Sequence, residues 1–496
     1  MMPEESTLLP AESAPAPRKR RKTGLLYTGI SLLMLVPCYW QPRLQAGDLS
    51  SHIYNAWLAK LIESGHAQGL VIVHQTTNIL FDLLLSGLFQ LVGPEAAQRI
   101  AVSLAVLTFI WGAFAFVCAV SRREPWHLLP CIAMLAYGWV FHMGFFNFYI
   151  SLGLCFWALA LLWRPRRKRV LAAAALLAVA YVAHALPVAW IACLLLYLLM
   201  ARRVGRRNLG YLTACSVALA AGLRAVLSHT LVTQWSLRQI AVTTGADQVW
   251  VFGTKYYLVL MALLLVWGLL FIELVHDKGV KRLVFSLPFQ LCMISAAGVF
   301  ILPTTVLIPG FNSALAYVAE RMSLGVGICV IALLGGARPR AWQRYGMLAV
   351  AAIFFLLVYR DEHALNQFEQ QMDEVVAQLP PGQRVVSSIQ DPDLRTNALT
   401  HMIDRACVGR CFSYANYEPS TAQFRIRAVK PNRLVVSRYA DSWALQMGTY
   451  ILKNRDVPIY KIDLDDSGRM VIRPLKAGTL CGSTFLQILP DLRPNS

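Results

Sequence analysis

Between Gly24 and Tyr359 the chain alternates apolar runs with short polar links, several of the links dense in arginine and lysine. A helix needs about 20 predominantly apolar residues to cross a ~30 Å hydrocarbon core. Read on that scale, residues 24–40, 97–120, 128–141, 145–163, 170–183, 185–200, 209–227, 256–275, 284–302, 323–336 and 345–359 are predicted to be spans, about eleven in all. With the N-terminus in the cytoplasm, the basic links at residues 122–123, 164–169, 202–207, 278–282 and 338–340 all fall on that side, as the positive-inside rule requires. Residues 74–92 would break the alternation as a span and contain Asp82. They are predicted to form an amphipathic or half-inserted helix within a long outer loop, residues 41–98.

Composition agrees with this pattern. The 496 residues are 57% hydrophobic and 15% charged, with a mean hydropathy of +0.50, too apolar for an ordinary soluble surface. The net charge of +19 resides mostly in the links, because the segment from Arg360 onward holds 17 basic and 15 acidic residues. The basicity is therefore a topology signal, and a nucleic-acid partner is discarded.

The expected fold is mostly α, a polytopic helical membrane protein with a small extracytoplasmic α+β domain. Residues 1–23 read as a disordered basic cytoplasmic tail, 24–360 as the membrane domain and 361–496 as the extracytoplasmic domain. In the last of these, residues 361–379 are predicted to be helical, with Leu365, Phe368, Met372, Val375 and Val376 on one face and Pro380-Pro381-Gly382 as the stop. Residues 384–389 and 433–437 read as strands, and 460–464 with 470–474 as a hairpin about Asp465-Asp466-Ser467-Gly468-Arg469. An oxidising compartment permits a Cys407–Cys411 bridge, the alternative being two free thiols.

The candidate chemistry lies where polar residues mark the outer ends of spans. Asp48 and His52, four apart in the stretch 47–57, stack on one helical face. His142 and Asn147 flank one outer turn and His184 occupies the next. Arg224 ends a span, Arg238 and Lys255 follow on its loop, and Glu320-Arg321 opens a late span. Ionisable groups at membrane depth face a cavity or one another. The histidines His52, His74, His142 and His184 lack a metal-ligand spacing, and there is no Walker or Gly-rich dinucleotide motif, so neither a metal nor a cofactor is expected.

Gly47-Asp48 after the first span, residues 78–100 leading through a surface helix into Gln98-Arg99, the turn Ala183-His184-Ala185-Leu186-Pro187, and Glu320-Arg321 together resemble the GT-C superfamily of membrane glycosyltransferases. The resemblance covers roughly residues 24–360. It departs from the protein O-mannosyltransferase and oligosaccharyltransferase patterns in having no Asp-Glu or Asp-x-Asp pair after the first span, which leaves the subfamily open.

It implies a polyprenyl-phosphate-linked sugar as donor, an acceptor hydroxyl on a glycan, lipid or protein, and a bacterial-type inner membrane. In that reading Asp48 is the base, His52 orients Asp48 or binds the acceptor, and Arg321, with Arg224, Arg238 or Lys255, binds the lipid phosphate. His142, Asn147, His184 and Glu320 complete the substrate-binding rim. The runner-up, a transporter or lipid flippase, would use the same rim as a vestibule. Midplane charges are scarce in the predicted spans and no two related halves are evident in its favour. Scattered positions of Asp48, His184 and Arg321 would sink the transferase reading.

Overall fold

The structure is a computed structural model that describes residues 17–429 and 432–489. Most of the tail expected to be disordered lies outside the described residues. Pro17 opens helix α1 (Pro17–Leu35), so the basic run that follows it is helical; proline suits a first helical turn, and lysine and arginine are good helix formers.

There follow α2 (Leu49–Glu63), α3 (Leu80–Ser121), α4 (Leu129–Ala136), α5 (Trp139–His142), α6 (Phe146–Leu162), α7 (Arg167–Ala183), α8 (Ala185–Ala201) and α9 (Arg206–Thr230). The helical part continues with α10 (Tyr257–Lys278), α11 (Val280–Val284), α12 (Leu287–Ile301), α13 (Val318–Leu334) and α14 (Ala341–Val376). Four helices, α3, α9, α10 and α14, are long and apolar enough to cross a membrane. Helices α6, α8 and α12 and the apolar part of α1 are apolar but shorter.

Three expectations for the helical part change. The segment at 128–141 is two short helices, because Gly138 is extended between α4 and α5 (φ −81°, ψ −164°). Residues 74–79 are not helical. The helix from Leu80 instead runs on through a bend at Gly93 (φ 80°) and Pro94 into the following apolar run. Likewise α14 joins the last apolar run to residues 361–376 without a break. Asp361 and Glu362, which read as a helix boundary, are matched where they lie, Asp361 by Lys255 and the Tyr256 hydroxyl and Glu362 by Trp40 and His142.

The helices pack through small residues and aromatic stacks. A Cβ on Gly112 of α3 would meet the Gly153 carbonyl of α6 at 2.4 Å. This close approach lets Phe109 stack on Tyr149, with centroids 4.5 Å apart, and Phe116 on Phe156. Contacts gather the basic links at one end of the bundle. Arg123 donates to the Gly335 and Ala337 carbonyls, Arg202 to the Trp163 carbonyl, and Arg340 pairs with Glu273.

At the other end sits the C-terminal domain. Its strands β4 (Arg384–Ser387), β6 (Phe412–Ser413), β8 (Ile459–Leu464) and β9 (Met470–Leu475) form a sheet in the order β6-β4-β8-β9, parallel except for the β8–β9 hairpin. Three short pairings lie outside this sheet. Strand β1 (Leu70–Ile72) pairs with β7 (Ile426–Ala428), β2 (Val232–Gln234) with β3 (Thr305–Leu307), and β5 (Ile389–Gln390) with β10 (Thr484–Phe485). The hairpin turns on Asp465, whose Oδ1 accepts from the amides of Ser467 and Arg469. Residues 433–437 are not a strand, because the Asn432 side chain takes the Leu434 and Val435 amides that a sheet would need. Cys407 and Cys411 are joined by a disulfide, and the β1–β7 pairing ties the loop after α2 to this domain.

Gly112→Val should lower the stability of the detergent-solubilised protein by about 1–3 kcal/mol, because neither α6 backbone nor Trp157 leaves room. An unchanged melting temperature would contradict this packing.

Candidate functional site

Asp48 opens α2, and the chain folds tightly to put it there. Its amide donates to the Met143 carbonyl at 3.1 Å. The following residue, Gly144, has φ 81°, and a Cβ on it would lie 2.6 Å from the Asp48 nitrogen. Only glycine meets both demands. The Asp48 carboxylate makes no side-chain cap to its own helix. It turns to the C-terminal domain instead, where Asn397 Nδ2 donates to Oδ1 and His401 Nε2 lies 3.6 Å away.

Behind His401, Asp404 Oδ2 is 3.0 Å from Nδ1, and Ser413 Oγ in turn holds Asp404. Burial disfavours the His401 imidazolium, but Asp404, with Asp48 and Glu418 beyond it, raises its pKa above the ordinary value. Asp404 thus orients an imidazole whose other nitrogen faces Asp48.

The opposite wall comes from the helical part. Tyr317, in the left-handed region at φ 58°, caps α13 and packs edge-on to Trp139. For a bulky residue this conformation is strained, and the surrounding packing holds it. One turn on, the Arg321 guanidinium lies 3.7 Å from the Phe145 ring centroid. Its Nε is buried with no hydrogen-bond partner. His184 breaks the α7–α8 hairpin, and its Nδ1 accepts from the Leu186 amide at 3.1 Å. Nε2 then carries the proton of the neutral imidazole.

Asp48, His184 and Arg321 line one cavity of about 270 Å³, together with Asn397, His401 and Tyr417 of the C-terminal domain. His52 and Asn147 reach its wall but are committed elsewhere. His52 Nδ1 is 2.7 Å from Asp82 Oδ1 and 3.8 Å from Glu418, rather than on Asp48. Asn147 donates to Asp82 Oδ2 and accepts from the Phe81 amide. The two make a clamp between α2, α3, α6 and the C-terminal domain.

The other rim candidates are not brought in. His142 is fully buried between the Gly138 carbonyl and Glu362. Lys255 pairs with Asp361, and Glu320 accepts from Thr304. Arg224 stacks on Trp235, while Arg238 is exposed on its loop. Each found another partner or stayed in solvent, which span-end position alone does not reveal. Conversely, Asn397, His401 and Tyr417 were missed, because nothing in the spacing of an irregular domain marks which polar residues face inward. The one available signal was His401-x-x-Asp404, an imidazole and a carboxylate three apart on a short helical turn.

Among the described residues no three His, Cys, Asp or Glu side chains are grouped as metal ligands. No protein-family model, curated protein or solved structure matches this chain.

Burial disfavours the His52 imidazolium, yet Asp82, then Glu418 and Asp48, raise its pKa from 6.5 to about 9. A pKa raised on folding stabilises fully below the unfolded value and is lost as pH rises through the folded one. His52→Gln should therefore lower the melting temperature markedly at pH 6 and progressively less toward pH 9.5. An equal loss at both ends of that range would contradict the charged clamp.

Proposed function

We propose that this chain is a multi-pass membrane glycosyltransferase of the GT-C type. It transfers a sugar from a polyprenyl-phosphate donor to an acceptor hydroxyl on the extracytoplasmic side of a bacterial-type inner membrane. The observation that carries the reading is the shared cavity: a carboxylate, a neutral imidazole and a guanidinium with an unpartnered Nε line one space. That set matches the charges of the reaction.

The acceptor oxygen attacks the anomeric carbon, the bond from that carbon to the phosphate oxygen breaks, and the polyprenyl phosphate leaves with the electron pair. Asp48 takes the acceptor proton, held in position by Asn397 and backed by His401 and Asp404. Arg321 meets the charge growing on the leaving phosphate, where a preorganised cation is worth most because its desolvation was met on folding. His184 Nε2–H supplies a neutral donor beside it.

Two further observations favour an orientation with the N-terminus cytoplasmic and the C-terminal domain outside. The basic links cluster at the end of the bundle away from the cavity, and a disulfide in the C-terminal domain suits an oxidising compartment.

The test is transfer by purified protein in lipid nanodiscs, with labelled polyprenyl-phosphate sugars and a panel of hydroxyl acceptors. Asp48→Asn should lower the transfer rate by ~10²–10⁴-fold while donor binding and melting temperature hold. Arg321→Ala should cost ~10²–10³-fold and weaken donor binding. Full turnover in Asp48→Asn would remove Asp48 as the base, and unchanged donor affinity in Arg321→Ala would remove the phosphate role.

A further inference from the structure

The two walls of the cavity differ in chemistry. The helical wall supplies Arg321, and Asp48 stands at the seam; among the described residues no other Asp, Glu, Lys or Arg lines the space. The wall from the C-terminal domain, formed by residues 397–401 and by helix α17 (Tyr439–Gln446), is neutral and aromatic apart from His401.

Trp443 on α17 lines the cavity and is 53% exposed, an indole face held at the mouth rather than packed away. Tyr439 lies one turn earlier on the same helix, and Tyr317 faces them from the start of α13 with 45% of its surface open. Deeper in, the Asn397 amide donates to Asp48 while its own Oδ1 is buried with no partner. That oxygen packs against Gly47, where an added Cβ would lie 1.9 Å from it, so the side chain is fixed and its amide holds the carboxylate.

Each class of acceptor makes its own demand on this wall. A charged acceptor, whether amino acid, phosphate or uronate, would need a counter-charge, and His401 of this wall is already committed to Asp404 and Asp48. A lipid tail would need a continuous apolar groove, which Asn397, Thr400 and His401 interrupt. A neutral carbohydrate presents a flat C–H face that stacks on an indole, and around it hydroxyls that donate and accept. An exposed indole at the mouth answers the first need, and the uncharged polar side chains of Asn397, Thr400 and Gln446 answer the second.

We propose that the acceptor is a neutral glycan whose terminal sugar stacks on Trp443, with its hydroxyls among the uncharged polar side chains of the C-terminal wall. This rests on the transferase reading of the same cavity and names its acceptor. The volume of about 270 Å³ is near the lower end of the ~300–1,000 Å³ found for small-molecule clefts. Such a space suits the reacting ends of two substrates, with the rest of the glycan leaving past Trp443.

The experiment is saturation-transfer NMR on the full chain in nanodiscs, without donor. The probes are neutral di- and trisaccharides, a uronate-containing disaccharide and a serine-containing peptide. Neutral saccharides should bind. Trp443→Ala should weaken them about fivefold to tenfold, and Trp443→Phe should restore most of the loss. Because Trp443 is half in solvent, both variants should keep the parent melting temperature. Asn397→Asp should weaken neutral saccharides further by placing a second charge beside Asp48.

Binding of the peptide or uronate in preference to neutral saccharides would overturn the proposal, as would saccharide binding indifferent to Trp443. The readout needs no transfer. Trp443-dependent saccharide binding by a protein that proves inert toward every polyprenyl-phosphate sugar would keep the glycan site and sink the transferase reading. Transfer to a non-sugar hydroxyl would do the reverse.

Discussion

Charge taken out of water must be matched, and how this chain matches its buried charges fixes where everything else sits. Arg405 of the C-terminal domain grips Glu369 of α14 through two bonds of 2.6 and 2.7 Å, and reaches the Leu44 carbonyl and Gln98 besides. His52 on α2 is answered by Asp82 and Glu418. Asn55 of α2 and Asn416 of the domain exchange amide bonds. These contacts seat the C-terminal domain on α2 and α14, and only because it is seated there do Asn397 and His401 meet Asp48. Arg321 stands outside these pairings: its ring partner, Phe145, offers a face but no counter-charge.

The cavity is accordingly a seam between two kinds of structure. The apolar helices supply the guanidinium and the imidazole, groups that suit the anionic leaving end of a lipid-linked donor. The small α+β domain supplies amides, hydroxyls and an indole, groups that suit a neutral acceptor. Asp48, at the start of α2 and wedged by Gly144, belongs to both. A single carboxylate between a cationic wall and a neutral one favours direct transfer with one proton moved, and it asks nothing of a nucleotide.

Asp48, His184 and Arg321 were legible in the sequence because each interrupts an apolar run or opens one, where a polar residue has few places to go. The buried face of residues 365–376 was legible for a similar reason, since helical periodicity shows wherever one side is covered. What the sequence hid was matched charge. Asp361 and Glu362 look like the end of a span, yet α14 passes through them, because Lys255 and His142 come from distant segments to meet them. His52 looked like a partner for Asp48 at four residues' spacing and instead found Asp82, thirty residues on and 2.7 Å away. Asn397, His401 and Trp443 lie in a domain of short elements, where no periodicity tells an inward side chain from an outward one.

In the proposed transfer Asp48 serves the bond that forms, taking the acceptor proton, and Arg321 the bond that breaks, meeting the charge on the leaving phosphate. The most direct measurement is an electron cryo-microscopy structure of the protein in a nanodisc with a polyprenyl-phosphate sugar bound to the Asp48→Asn variant. The account predicts the lipid phosphate against the Arg321 guanidinium and the sugar between it and residue 48. A phosphate held instead among the basic links at residues 278–282, with the Arg321 cavity free of the donor's sugar, would contradict it.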